Sequence, residues 1–178
     1  MQGTRPGDAR PCHYCGQAAT AGLPAIDKPL TQVEHRAPIS RRNGMAHDIP
    51  WQELERQARA AAQQAYVPYS RFAVGAALLT SDGRIVRGCN VENASYGLTN
   101  CAERTAIFSA RADGMREVVA ICIYTPTSVP TPPCGACRQV LNEFGPQMAV
   151  RTICDGPEQV NTRLDALLPG AFGPKNLG

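Results

Sequence analysis

Two short stretches of this chain carry the residue types that metal-assisted hydrolysis needs: Cys101-Ala102-Glu103 and Pro133-Cys134-Gly135-Ala136-Cys137. Each is expected to open a helix, where unpaired backbone N–H groups and the helix dipole favour a thiolate. Two helix N-termini facing each other would supply three thiolates, Cys101, Cys134 and Cys137, to one tetrahedral Zn²⁺. The fourth position would stay open for water, which separates a catalytic zinc from a structural one. Glu103, two residues past its cysteine, would reach that water without ligating the metal and could move its proton. Taken singly, a C-x-x-C pair has a plainer reading, with Cys101 and Cys137 as small core residues and Glu103 as a solvated helix acid. Here C-x-E and P-C-x-x-C each follow a β segment at an expected helix start. All three histidines (His13, His35, His47) precede residue 48, so a metal site in the rest of the chain must use thiolates and carboxylates.

The elements that must position these residues can be read from periodicity and turn chemistry. Asp48-Ile49-Pro50 reads as a helix start, with a capping acid and a proline in the first turn. Residues 51–66 then place Leu54, Ala58, Ala61 and Ala65 on one face, and Pro68 stops the helix. Residues 72–80 and 84–92 flank Ser81-Asp82-Gly83 as a hairpin. A helix over 101–113 ends at Gly114. Residues 118–125 form an apolar strand expected to be covered on both faces. A proline-rich loop (126–133) leads to a helix over 135–144. A strand at 149–154, a weak fifth strand at 159–163 and a short helix at 164–168 complete an α/β sheet packed between helices.

Composition narrows the function classes. The chain has 178 residues, 43% hydrophobic and 19% charged, ordinary for a globular protein. The longest apolar runs, Phe72–Leu79 and Val118–Tyr124, are too short to cross a bilayer. The first ten residues lack the apolar stretch of a secretory signal, so a cytoplasmic location is expected. The net charge is +3 and sits in residues 1–47; the remainder balances its acids and bases. A neutral main domain lacks the basic footprint of a phosphate-backbone binder, which points to a small uncharged substrate. Eight cysteines without a secretory context read as metal or redox residues and small core residues; Cys89, Cys122 and Cys154 fall in the last group.

Over residues 48–173 the chain resembles the small homotetrameric cytidine deaminases. The matching blocks are Pro68-Tyr69-Ser70-Arg71-Phe72-Ala73-Val74-Gly75, Gly88-Cys89-Asn90-Val91-Glu92-Asn93-Ala94-Ser95-Tyr96 and Asn100-Cys101-Ala102-Glu103-Arg104-Thr105-Ala106. They continue with Pro133-Cys134-Gly135-Ala136-Cys137-Arg138-Gln139-Val140-Leu141 and Leu167-Leu168-Pro169-Gly170-Ala171-Phe172. The resemblance implies a three-layer α/β/α fold with a five-stranded mixed sheet, spanning residues 48–178 as the catalytic domain. It implies one Zn²⁺ per chain on Cys101, Cys134 and Cys137, with activated water attacking C4 of cytidine or 2′-deoxycytidine. Glu103 would take the water's proton, pass it to N3, and later protonate the departing ammonia. Backbone groups around Ala102 and Cys134 would meet the base edge. Arg104 would donate to ligand sulfurs and offset the formal negative charge of three thiolates on Zn²⁺.

In that family Asn90 and Glu92 would read the ribose hydroxyls, and strand alternation puts them on one side. An acid there would repel a 5′-phosphate, which favours the nucleoside over the nucleotide. Phe72 would pack on the base or ribose, and Tyr96 and Phe172 would reach a site shared between subunits of a homotetramer. The implied role is pyrimidine salvage. A related aminopyrimidine deaminase of the blasticidin S type is the alternative, disfavoured by the Asn90/Glu92 pair.

Residues 1–47 are foreign to that resemblance and are expected to form an extension, disordered or a remnant of a zinc knuckle. Cys12-His13-Tyr14-Cys15-Gly16 and Leu30-Thr31-Gln32-Val33-Glu34-His35-Arg36 resemble the front half of an HNH endonuclease motif. No second C-x-x-C follows before residue 48, so a closed zinc site would need His35 and His47. A nucleic-acid-binding module built on this knuckle is the reading from a different class, and translation starting at Met45 is a further alternative.

Overall fold

The computed structural model describes residues 49–173 together with 176 and 177. The expectations for residues 1–47, and the capping acid Asp48, lie outside the described residues. The elements run α1 (Trp51–Ala62), β1 (Gly75–Thr80), β2 (Ile85–Cys89), a 3₁₀ turn (Tyr96–Leu98), α2 (Ala102–Ala112), β3 (Val118–Tyr124), α3 (Gly135–Phe144), β4 (Ala149–Ile153), β5 (Gln159–Arg163) and α4 (Leu164–Leu167). One sheet has the order β2-β1-β3-β4-β5, with β3 and β4 parallel and every other pair antiparallel. This is the expected five-stranded mixed sheet, and the weak strand at 159–163 is real.

Side-chain alternation on β1 and β3 divides the core. Ala76, Leu78, Ile121 and Ile123 pack against Ala102, Ala106, Ile107 and Ala110 of α2 and Leu141 of α3. Ala77, Leu79, Ala120 and Cys122 turn to the other face, against Leu54 and Ala58 of α1. Period 2 in a strand with helices on both sides gives this continuous apolar pattern, and each fully buried leucine or isoleucine contributes about 1.5–3 kcal/mol. The result is three layers: α1, the sheet, and α2 with α3.

β1 begins at Gly75 rather than at residue 72, and the first helix and β2 are shorter than expected for a common reason. The first helix ends at Ala62 rather than at Tyr66, because Tyr66 exchanges backbone hydrogen bonds with the chain beyond β2: its N–H reaches Asn90 O at 3.0 Å, and its carbonyl accepts from Glu92 N–H at 2.8 Å. β2 ends at Cys89, and Asn90–Glu92 continues as an extended segment bridged through Val91 to Tyr66 and Asn100. Pro50 is the N-cap residue of α1 instead of standing within its first turn, and its side chain makes no capping hydrogen bond. The 3₁₀ turn at Tyr96–Leu98 was not foreseen.

Gly88 determines how closely α2 approaches the sheet. A β-carbon there would run into the α2 backbone at Ala102 O and Ala106 N, so only glycine lets the helix lie at this separation.

Candidate active site

β2 and β3 are both antiparallel to β1, which lies between them, so they point the same way. The helices that follow them therefore begin at the same end of the sheet. Cys101 is the N-cap residue of α2, Cys134 is the N-cap residue of α3, and Cys137 lies in the first turn of α3. The three Sγ atoms lie within 4.8 Å of one another, with Cys101 and Cys134 3.9 Å apart. Sulfurs at about 2.3 Å from a tetrahedral zinc are separated by about 3.8 Å, so this donor set fits one Zn²⁺. Cys137 is buried and Cys134 is exposed, which leaves one side of the cluster open.

Three thiols this close cannot ionise independently. The Cys137 thiol donates toward Cys101, and Arg104 adds a hydrogen bond and its charge; together they hold the Cys101 thiol well down, to about 5. The same hydrogen bond, with burial, pushes Cys137 up.

Glu103 is 4% exposed, in the first turn of α2 beside Ala102, which is fully buried. Burial pushes its carboxyl above the usual carboxylate range, with the Cys101 charge adding to the effect. Arg104 reaches back with Nη2 to the Cys101 Sγ at 3.4 Å and to the Thr99 carbonyl at 3.3 Å. Its Nε is buried without a hydrogen-bond partner among the described residues. The α3 start is anchored by Arg138, whose guanidinium donates to Pro133 O at 2.8 Å and Leu167 O at 2.9 Å.

Asn90 and Glu92 both turn to the loop that precedes β1, as alternation requires. The buried Asn90 amide donates to Phe72 O at 2.8 Å and accepts from Val74 N–H at 2.8 Å. One amide hydrogen and one lone pair remain beyond these two bonds. Glu92 accepts through Oε2 from Tyr69 N–H at 2.9 Å and Ser70 N–H at 3.2 Å. The Ser70 hydroxyl, followed by those amides, holds its carboxyl below the usual range.

Tyr69, Ser70, Glu92, Tyr96 and Thr99 line an open cleft of about 420 Å³. Tyr96 stands edge-on to Tyr69 with ring centroids 5.9 Å apart, and is 75% exposed. Phe172, 59% exposed, lies elsewhere in the hydrogen-bond network: its carbonyl accepts from Gln139 and Asn142 of α3. Tyr69, Ser70 and Thr99 were not singled out from the sequence. Tyr69 and Ser70 grip Glu92 through backbone N–H groups, which residue type does not advertise.

The pattern of the cytidine and deoxycytidylate deaminase zinc-binding region matches residues 50–153. A cytidine deaminase from Halalkalibacterium halodurans is 50% identical over 129 residues, 71% of this chain and 96% of the relative. One from Mycobacterium tuberculosis is 47% identical over 130 residues, 73% of this chain and 95% of the relative. Among solved structures, the cytidine deaminase from Burkholderia pseudomallei superposes with a TM-score of 0.66 at 50% identity, covering 72% of this chain and all of that one. The Mycobacterium tuberculosis structure gives 0.63 at 47% identity, covering 71% of this chain and 99% of that one. With its zinc-fitting thiols at two helix starts and near-full coverage of these relatives, the chain belongs to the cytidine deaminase family.

Proposed function

We propose that this chain hydrolyses cytidine and 2′-deoxycytidine to uridine and 2′-deoxyuridine with release of ammonia. The observation that carries this reading is the buried Glu103 carboxyl, in the first turn of the helix whose N-cap thiol meets Cys134 and Cys137. Cys101, Cys134 and Cys137 would hold Zn²⁺, which would bring the pKa of a bound water toward neutrality. Glu103 takes one proton of the water and hands it to N3 of the ring, then carries the second from the new C4 hydroxyl to the leaving amine as the C4–N bond breaks and C4–O stays. Its raised affinity for a proton suits it to both transfers. Backbone groups at Ala102 and Cys134 meet the base edge. The Arg104 guanidinium, already on the Cys101 sulfur, offsets the net negative charge of three thiolates on a dication.

Asn90 and Glu92 read the sugar hydroxyls with the hydrogen-bonding capacity left after they bind the loop. Phe72, held from both sides by its backbone, packs on the base or ribose. Tyr96 and Phe172 act across subunits. The exposure of Tyr96 with Tyr66, Tyr69, Val91 and Leu98 around it, and the separate exposure of Phe172, support a homotetramer in which subunits complete one another's sites. Free thiols at all six described cysteines suit a cytoplasmic enzyme of pyrimidine salvage.

The test is cytidine turnover by the purified full-length chain, followed by ultraviolet absorbance as cytosine becomes uracil. Activity abolished by a strong chelator and restored by Zn²⁺ is expected. A folded, zinc-loaded protein that leaves cytidine and 2′-deoxycytidine unchanged would overturn the reading.

A further inference from the structure

We infer that Gln139 is a positioning residue for substrate binding: its side-chain amide, helped by that of Asn142, fixes the backbone of Phe172 to α3 and so sets where the Phe172 ring stands for a neighbouring subunit. This rests on the reading that Phe172 acts across subunits.

The segment around Phe172 is tied to α3 at several points. Gln139 Nε2 donates to the Phe172 carbonyl at 2.8 Å, and Asn142 Nδ2 donates to the same oxygen at 3.4 Å. Residues three apart share a helix face, and a carbonyl oxygen has two lone pairs, so it can accept both amides together. Upstream, Arg138 Nη1 donates to Leu167 O at 2.9 Å, and Leu167 packs against the buried core. Downstream, the Gly173 backbone lies so close to α3 that a β-carbon there would meet Asn142 Nδ2 at 3.3 Å. Between these anchors the chain turns at Gly170, whose φ of +67° is a conformation open to glycine.

The Phe172 side chain is exposed and belongs to neither group of core residues, so packing within its own subunit does not hold it. The clamp on its carbonyl does. Ordering the segment only when substrate arrives would cost conformational entropy, and a clamp formed beforehand removes that cost from binding. Gln139 is itself exposed and makes no other side-chain hydrogen bond among the described residues, so core packing does not account for its amide. The helix it stands on also carries Cys134 and Cys137, which gives the ring and two of the zinc-fitting thiols one common support.

The loss of this donor should fall on binding and leave the chemical step alone. The experiment is steady-state kinetics of the zinc-loaded full-length chain on cytidine. Gln139→Glu keeps the shape of the side chain but sets an acceptor against the carbonyl, and Gln139→Ala removes the group altogether. Each should raise KM about two- to ten-fold, as for one lost hydrogen bond, with kcat, zinc content and subunit assembly unchanged. Phe172→Ala should raise KM by itself. Adding Gln139→Ala to it should change nothing further, because the amide acts only through Phe172.

If Phe172→Ala raises KM while both Gln139 variants match the wild type, Gln139 has no positioning role and the reading of Phe172 stands. Additive effects of Gln139→Ala and Phe172→Ala, or a loss of zinc, assembly or kcat in the Gln139 variants, also overturn the inference. A Phe172→Ala variant that matches the wild type removes the reading of Phe172 and this inference with it.

Discussion

Replacing Gly88 by alanine is expected to strip zinc from an otherwise folded protein. The new β-carbon would lie 2.8 Å from Ala106 Cα and closer still to Ala102 O and Ala106 N, all backbone atoms of α2. Carbon atoms pack at about 3.5 Å or more, so α2 must retreat by roughly 0.7 Å at the least. Cys101 and Glu103 travel with α2, whereas Cys134 and Cys137 stay on α3. Metal–ligand distances tolerate only about 0.2 Å, and a misplacement of about 1 Å can cost on the order of 10²-fold in rate. Overpacking of this kind costs about 1–3 kcal/mol, which for a chain of this size lowers the melting temperature by roughly 2–4 °C per kcal/mol. The assay is zinc content by plasma mass spectrometry, alongside kcat/KM and thermal melting. Stoichiometric zinc with unchanged melting and turnover would refute the argument that Gly88 sets the helix position.

Glu103→Ala should retain zinc, since all three thiols remain, and lose about 10²–10⁴-fold or more in kcat with its proton shuttle; substantial residual turnover would remove Glu103 from that role. Chelation of the metal should make Cys134 and Cys101 open to alkylation at mildly alkaline pH. Buried Cys122, its thiol pushed up to about 12 by burial, forms thiolate only as pH climbs toward that value and should stay unmodified in the native state; peptide mass mapping reads both, and prompt labelling of Cys122 would contradict its placement. Arg151→Ala removes a 2.8 Å ion pair with Glu55 and a guanidinium lying 4.2 Å from the Trp51 ring centre. Denaturant unfolding should show a loss of about 1–2 kcal/mol, and an unchanged midpoint would mean that solvent competes successfully for both contacts.

Much of the fold was legible because local rules and tertiary packing agree. The bounds of α3 match expectation to the residue, and Gly114 ends α2 region at φ +83° as a glycine past a helix should. The first helix was overestimated because pairing of Tyr66 with Asn90 and Glu92 is a long-range event with no local signature. The same pairing shortened β2 while keeping Asn90 and Glu92 on one side.

Residue types and their local spacing establish which groups can act. Three thiols and one carboxyl at helix starts, and an amide and an acid two residues apart, follow from residue type, capping and strand periodicity, all properties of a few neighbouring residues. Their convergence comes from long-range packing. Cys101 and Cys134 meet because antiparallel pairing of β2 and β3 with the same strand makes those two run together, so that their helices start at one end of the sheet. The closeness of α2 to that sheet, set at Gly88, places Glu103 in a buried environment that raises its hold on a proton. The grip of Tyr69 and Ser70 on Glu92 is likewise invisible in residue types, because backbone N–H groups are common to nearly every residue and only the path of the chain decides which of them point at a carboxylate.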